Sequence, residues 1–252
     1  MDRITVFLLQ LIVVAIGSVN SANVPTPQSP SPIYQASVQN SSKSHICNGI
    51  ILHRNWILTA AQCVSNQNAS KLKVFYGSNR LNHNGSYVDV KQINIHPGFN
   101  RTIIRSDIAL LLVSDITFIA NVSGAINLPE HDVPINQQLT ASGWNVSAST
   151  ANQSEWIQHR NLETISPIEC RKLNPLLNHI IRTWLICSVD TISNRANICD
   201  AGDLGSALKK DNTLYGIRTM NEETCSKSSL NIFTNVFPQL EWIRFIMTGW
   251  PW

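Results

Sequence analysis

The sequence predicts an all-β protein made of two six-stranded antiparallel β-barrels with a helix at the C-terminus. Short runs rich in Val, Ile, Thr and aromatic residues recur with turn residues between them, and they fall into two blocks. A helical spacing of apolar residues occurs only in the final segment. With 252 residues, 43% of them hydrophobic and 14% charged, the chain has enough apolar material for a sizeable core.

The first residues have the pattern of a secretory signal peptide over residues 1–21. Arg3 precedes an apolar run over 6–16 that only Gln10 interrupts, and Val19 and Ser21 suit a signal peptidase. This run is shorter than the ~20 apolar residues that cross a bilayer, and no later segment qualifies, so we expect no transmembrane anchor. The sequence therefore predicts a secreted, extracellular protein whose mature chain starts near residue 22 or 23.

Residues 22–32 contain four prolines among polar residues, which predicts an extended lead-in. The folded domain is expected over 33–252, with a first barrel at about 33–127 and a second at about 138–235. Strands are predicted in the first barrel at 44–52, 56–60, 72–76, 87–95 and 108–113. Strands are predicted in the second barrel at 138–143, 156–165, 184–188, 207–210, 213–220 and 231–235.

The C-terminal helix is predicted over about 237–247. It follows Pro238, a residue favoured in a first helical turn. Its apolar residues recur at helical spacing and predict a face that packs on a barrel. They are Leu240, Ile243, Ile246 and Met247.

The charge and cysteine content exclude several classes of partner. The chain has 19 Lys+Arg against 16 Asp+Glu, a net charge of +3, and its basic residues are scattered, so nucleic acid is not an expected partner. The six cysteines show no C-x-x-C pair and no Cys/His spacing of a zinc site. In a secreted protein they favour disulfides, and we expect no metal and no cofactor.

Seven asparagines stand in the N-x-S/T pattern that accepts N-glycans. An Asn-rich and Ser-rich chain also produces this pattern by chance. We nevertheless expect several of them to carry glycans and to lie on surface loops. They are Asn40, Asn68, Asn84, Asn100, Asn121, Asn145 and Asn152.

Three segments in order carry the most specific signal: TAAQC at Thr59–Cys63, SDIALL at Ser106–Leu111 and GDLGSAL at Gly202–Leu208. Further matches are CNGIILHRNWILTAAQC from Cys47, HPGFN from His96, ASGW from Ala141 and FTNVFPQLEWI from Phe233. On these motifs the chain resembles the chymotrypsin-like serine proteases over essentially all of its mature length. The resemblance implies the two-barrel fold and the disulfides Cys47–Cys63, Cys170–Cys187 and Cys199–Cys225.

The resemblance also places the positions of a catalytic triad at Gln62, Asp107 and Leu204. In that triad a hydroxyl attacks the peptide carbonyl, an imidazole takes and returns its proton, and a buried carboxylate orients the imidazole. The carboxylate is retained as Asp107. Gln62 has a non-basic amide at the imidazole position, and Leu204 has no heteroatom at the nucleophile position. We therefore expect no catalytic residues and no peptidase activity.

The same resemblance implies roles for the residues near the triad positions. Asp107 is expected to be a structural acid that accepts hydrogen bonds from Gln62 and from the hydroxyl of Thr219. Ser206 is not expected to replace the nucleophile, because no motif places a histidine beside it.

The substrate cleft is expected to be altered at four positions: Asn197, Thr219, Met220 and Asn221. Asn197 falls where trypsin-like members carry an acidic selector, and Met220 and Asn221 replace an aromatic residue and a glycine that leave room for a substrate strand. No Lys or Arg lies between Ala22 and Lys43, so the usual activation cleavage is not expected. Whether the mature N-terminus pairs with Asp203 stays open.

The leading functional hypothesis is a secreted serine protease homologue that acts by binding a protein. Such homologues resemble cofactors, adaptors and regulators of extracellular proteolytic cascades, notably in arthropods. The expected partner is a protease, an inhibitor or another cascade component. A decoy that captures substrates or inhibitors is the alternative, and residual endopeptidase activity is the third hypothesis.

Overall fold

Twelve β-strands in two closed antiparallel barrels form the framework of the part of the chain that the structure describes. The structure is a computed structural model, and it describes residues 32–144, 155–191, 204–219 and 230–249. The predicted fold class is confirmed.

The first barrel has the strand order β1-β2-β3-β6-β5-β4, with β4 also paired to β1. Each strand carries Val, Ile or Leu side chains into one core, as a half-buried pleated surface requires. A short helix, α1 (Ala61–Val64), follows β3, and a 3₁₀ turn at Ala69–Lys71 precedes β4. The strands are β1 (Gln35–Asn40), β2 (His45–His53), β3 (Trp56–Thr59), β4 (Leu72–Tyr76), β5 (Ser86–Ile95) and β6 (Ala109–Val113).

The second barrel has the strand order β10-β11-β12-β9-β8-β7, and β10 also pairs with β7. A second helix, α2 (Pro167–Leu173), and a 3₁₀ turn at Pro175–Leu177 lie between β8 and β9. The strands are β7 (Gln138–Gly143), β8 (Gln158–Ile165), β9 (Leu185–Asp190), β10 (Ala207–Lys210), β11 (Thr213–Arg218) and β12 (Leu230–Asn235).

The hydrophobic pattern of the sequence does not predict β1, and the structure shows why. Gln35, Ser37 and Gln39 are polar, yet all three are buried. Most of their polar side-chain atoms are hydrogen-bonded inside the protein: the Gln39 amide nitrogen, for example, donates to Ser37 and to Asn82 at 2.9 Å each, while the Gln39 side-chain oxygen has no partner in the described part of the chain. A strand whose buried residues are polar but hydrogen-bonded carries no alternating hydrophobic signal.

Two short helices, α1 and α2, are present in segments that carry no helical period in the sequence. The seven residues of α2 are too few for a helical period. Its N-terminus is fixed instead by capping, since Ser166 accepts a hydrogen bond from the Glu169 backbone N–H and Pro167 opens the helix.

The predicted C-terminal helix is present as a 3₁₀ turn at Phe237–Gln239, which contains Pro238, followed by α3 (Leu240–Thr248). Its buried residues Leu240 and Ile243 belong to a hydrophobic cluster that both barrels share. Strands of each barrel contribute to that cluster, including Ile50 and Ile217. The helix therefore covers the place where the two barrels meet.

Two of the three expected disulfides are present, Cys47–Cys63 and Cys170–Cys187. The first joins β2 to α1, and the second joins α2 to β9. Cys199 and Cys225 lie outside the described residues. Within the described ranges, no helix is both long and apolar enough to cross a membrane.

Candidate functional site

Asp107 lies at the centre of the site, in the loop before β6, and is 1% exposed. Its Oδ1 accepts the backbone N–H of Gln62 at 2.8 Å. Its Oδ2 accepts the Gln62 side-chain amide at 2.6 Å and the Thr219 hydroxyl. The carboxylate thus receives donors from the first barrel through Gln62 and from the second through Thr219.

Gln62 is held in α1 next to Cys63, whose disulfide to Cys47 attaches the helix to β2. Besides its bond to Asp107, the Gln62 Nε2 donates to the backbone carbonyl of Thr219 at 2.5 Å. The amide nitrogen is therefore engaged with two acceptors. An amide nitrogen donates only, so this side chain cannot take up a proton there at neutral pH.

Burial raises the pKa of the Asp107 carboxyl above its usual range. Hydrogen bonds from Thr219, Gln62 and the Ala61 backbone stabilise the charged form and oppose this rise. Desolvation is the largest of these effects, because the group lies between the barrels with almost no contact with water. No cationic side chain donates to either carboxylate oxygen among the described hydrogen bonds and salt bridges.

One bond to Asp107 was missed by sequence reasoning. The hydroxyl of Thr234, on β12, donates to the backbone carbonyl of Asp107 at 3.3 Å. Thr234 lies inside the FTNVFPQLEWI match, so the motif contained the residue but gave no sign of its contact. The bond adds a second link from the second barrel to this residue.

Leu204, the position that the resemblance assigns to the nucleophile, lies in a turn before β10. Its backbone carbonyl accepts the N–H of Asn48 at 2.9 Å, and its half-buried side chain packs against the core of the first barrel. Gly205 follows with φ +80°, and its N–H donates to the carbonyl of Arg218 at 2.9 Å. The turn therefore fixes a hydrocarbon side chain against the first barrel.

Ser206 is 2% exposed, and its hydroxyl has no hydrogen-bond partner in the described part of the chain. A nucleophilic serine needs a base within hydrogen-bond reach. No described imidazole provides one, so the geometry does not bring Ser206 into a triad.

The remaining expectations for this site fall outside the described residues. These are the cleft positions Asn197, Met220 and Asn221, and the acid Asp203. Among the residues that the structure does describe, no group of three or more His, Cys, Asp or Glu side chains is placed to hold a metal ion.

The predicted glycan acceptors are mostly on the surface. Asn68, Asn84, Asn100 and Asn121 are exposed, and Asn40 is partly buried. The other two sequons, at residues 145 and 152, lie outside the described ranges.

Two closed six-stranded barrels with a buried acid between them define the chymotrypsin-like fold class. The sequence matches the family model described as Trypsin over residues 22–243. The chain therefore belongs to the trypsin family.

Individual relatives agree with this assignment. The chain is 25% identical to Trypsin 5G1 of Aedes aegypti over 228 residues, which cover 90% of this chain and 83% of that protein. It is 28% identical to Kallikrein 1-related peptidase b8 of Mus musculus over 223 residues, or 82% of each protein. The solved structure of the scabies mite inactivated protease paralogue S-D1 matches with a TM-score of 0.77 at 21% identity, covering 88% of this chain and 96% of that one.

Replacing Gly205 with Ala tests how tightly the Leu204 turn is packed. A Cβ there would lie 2.3 Å from the Asn48 carbonyl oxygen and 2.8 Å from the Thr59 hydroxyl, at φ +80°. Gly249→Ala is the matched control, because Gly249 has φ +74° and a Cβ there meets nothing within 4 Å. We expect Gly249→Ala to cost about 1–2 kcal/mol of unfolding free energy from the left-handed backbone alone. Gly205→Ala should lower the free energy of unfolding by more than this, because its Cβ also meets Asn48 and Thr59. Equal decreases for the two variants in thermal denaturation would contradict the close packing of the turn.

The raised pKa of Asp107 predicts a pH dependence of stability. The folded state holds this proton more tightly than the unfolded state, so the contribution is full below pH 3.8, the ordinary value, and is lost as pH rises through the folded pKa. Asp107→Asn removes the titration. The melting temperature of the native protein minus that of Asp107→Asn should therefore fall as pH rises through this window. A difference that grows with pH would show that the pKa is lowered instead.

Proposed function

We propose that this protein is a secreted, non-catalytic serine protease homologue that acts by protein binding, as a cofactor, adaptor or regulator of an extracellular proteolytic process. One observation carries the proposal. At the position where the resemblance requires an imidazole, the Gln62 amide nitrogen donates to Asp107 at 2.6 Å and to the Thr219 carbonyl at 2.5 Å.

Peptide hydrolysis by this fold needs a base that removes a proton from the nucleophile and later returns it. The Gln62 nitrogen carries no lone pair that can accept a proton, and both of its acceptor partners hold it in the donating orientation. Leu204 has no atom that can form an acyl intermediate. Loss of the nucleophile or of the base in a triad lowers turnover by about 10⁶-fold, and here both are replaced.

The secretory part of the proposal has its own support. The two described disulfides would be reduced in a cytosolic environment, whereas they persist in the extracellular space. Residues 1–21 have the pattern of a signal peptide.

The relatives named trypsin and peptidase support the fold and the family, and they say nothing about the two replaced positions. The scabies mite neighbour is described as an inactivated protease, but its likeness to this chain, at 21% identity, supports the fold alone. The proposal therefore rests on Gln62 and Leu204.

A fluorophosphonate probe tests the absence of an activated hydroxyl. Purified protein should show no covalent labelling under conditions that label an active trypsin completely, because Leu204 has no nucleophilic atom and the buried Ser206 hydroxyl has no base within hydrogen-bond reach in the described part of the chain. Ser206→Ala is the matched variant. Labelling of the native protein would overturn the proposal, and loss of that label in Ser206→Ala would identify the nucleophile.

Capture from the fluid into which the protein is secreted tests the binding role. The immobilised protein should retain a protease or another cascade component, identified by mass spectrometry, and adding the soluble protein should change the rate of that protease. Retention of an inhibitor or a substrate alone would support the decoy alternative. Immobilised trypsin with a blocked active site is the control. If this protein retains no more protein than that control, both forms of the proposal are contradicted.

A further inference from the structure

A groove lies on the side of the molecule where the first barrel meets the loop before β8. It is lined by residues 77–80, Asn84, Asn121, Val122 and Trp156, and its volume is about 360 Å³. Small-molecule sites have volumes of about 300–1,000 Å³, so the groove is large enough for one sugar-sized group.

The floor of this groove is held by contacts between the two barrels. Arg80 and Trp156 form an antiparallel bridge, and the N–H of Leu81 donates to the Glu155 carbonyl at 2.7 Å. The Arg80 guanidinium bonds the Glu155 carboxylate at 2.8 and 2.9 Å and lies 5.5 Å from the centre of the Trp156 ring. These contacts place the Trp156 indole beside the Arg80 guanidinium at the groove.

Exposed apolar side chains lie at and beside the groove: Trp156 and Val122 line it, and Ile119 belongs to the same small hairpin as Val122. Ile119 is 52% exposed, Trp156 39% and Val122 37%. A cluster of exposed apolar side chains at a concave site is typical of a surface that something covers.

Two glycan acceptor sequons stand on the rim. Asn84 and Asn121 are exposed, have left-handed backbone at φ 53° and 59°, and make no hydrogen bond through their side chains to the described part of the chain. The side chains at Asn68 and Asn100, in contrast, accept backbone N–H groups at 3.0 Å in their own loops. The rim asparagines are the ones whose amides point away from local partners.

Asn121 is better placed than Asn84 to deliver a sugar to the apolar surface. It lies at the tip of a small hairpin in which Ser123 donates to the Ile119 carbonyl at 2.9 Å and Ile119 donates back at 3.1 Å. The exposed Val122 follows it directly, and the exposed Ile119 lies two residues before it. The neighbours of Asn84, residues 82–86, are polar or glycine.

We propose that Asn121 carries an N-glycan and that its first N-acetylhexosamine ring packs into this groove against Trp156 and Val122. The inference goes beyond the proposed binding function and needs only the secretory route that the proposal includes. The C–H face and the acetyl methyl group of the sugar would cover apolar area, which is favourable in proportion to the area removed from water. The hydroxyl groups of the sugar would face the solvent.

This N-glycosylation joins the Asn121 side-chain amide to an oligosaccharide that a lipid carrier supplies. The Asn121 Nδ2 forms a bond to the anomeric carbon of an oligosaccharide carried on a polyprenyl pyrophosphate. The bond from that carbon to the pyrophosphate oxygen breaks, the lipid pyrophosphate leaves with the electron pair, and one amide proton passes to a base. No oxidation or reduction takes place.

The test uses the full chain expressed in a eukaryotic secretory host. Glycopeptide mass spectrometry should find a glycan on Asn121. A double-mutant cycle then measures the coupling between the glycan and the Trp156 ring. Asn121→Asp removes the glycan and tolerates left-handed backbone, and its effect is measured once with Trp156 present and once in the Trp156→Ala variant. Asn121→Asp should lower the melting temperature by about 2–4 °C with Trp156 present and by less than half as much in the Trp156→Ala background.

Asn100→Asp is the matched control, because it removes an exposed sequon away from the groove and adds the same charge. The change in melting temperature that Asn100→Asp causes should be the same with Trp156 present and in the Trp156→Ala variant. Val122→Ser, which leaves the sequon intact, repeats the cycle if Trp156→Ala does not fold. An unmodified Asn121, or equal shifts in both backgrounds, would overturn the inference. Both results are read on protein that the host has secreted, and neither depends on whether the protein hydrolyses peptides, so failure here is distinct from failure of the proposed function.

Discussion

The burial of the Asp107 carboxylate between the two barrels is the constraint on which the site depends. A buried carboxylate without donors costs several kcal/mol, so the surrounding residues must supply hydrogen bonds. They come from both barrels: Gln62 follows β3, and Thr219 follows β11. Thr234 adds a bond to the backbone of the same residue. Meeting this requirement links the loop before β6 to α1, to the residue after β11 and to β12, and so connects the two barrels at the site.

The turn at Leu204 is tied to the same region by backbone bonds. Asn48 of the first barrel donates to the Leu204 carbonyl, while Gly205 and Ser206 bond the backbone of Arg218 in the second. Gly205 is needed because the turn passes so close to Asn48 that no Cβ fits. The side chain at 204 is directed by this backbone, so a leucine there packs on the first barrel and the turn needs no catalytic group to keep its shape.

Much of this architecture could be predicted from the sequence, and the exceptions have physical causes. The Val- and Ile-rich strands are predictable because each presents an apolar face to a core, and two disulfide pairings that the family resemblance implies are present in the structure. The strand β1 is not predictable from the hydrophobic pattern, because its buried residues Gln35, Ser37 and Gln39 are polar and form side-chain hydrogen bonds inside the protein. The hydrophobic period does not predict the helix α2, because the helix is short. Its start is nevertheless marked in the sequence by the S-x-x-E capping pattern of Ser166 and Glu169. Motif positions identified Gln62, Asp107 and Thr219, whereas the bond from Thr234 depends on three-dimensional placement alone.

The structure also separates what the fold needs at position 62 from what hydrolysis needs there. The fold needs a donor directed at the Asp107 carboxylate, and a carboxamide supplies one at 2.6 Å. Hydrolysis needs, in addition, a nitrogen that accepts a proton and gives it back, which an imidazole has and a carboxamide lacks. The first requirement is set by the cost of burying a charge, and the second by the chemistry of the transition state. Because the two requirements are independent, a carboxamide at position 62 is sufficient for the hydrogen bonds that the buried acid needs, whatever the chemistry of the site.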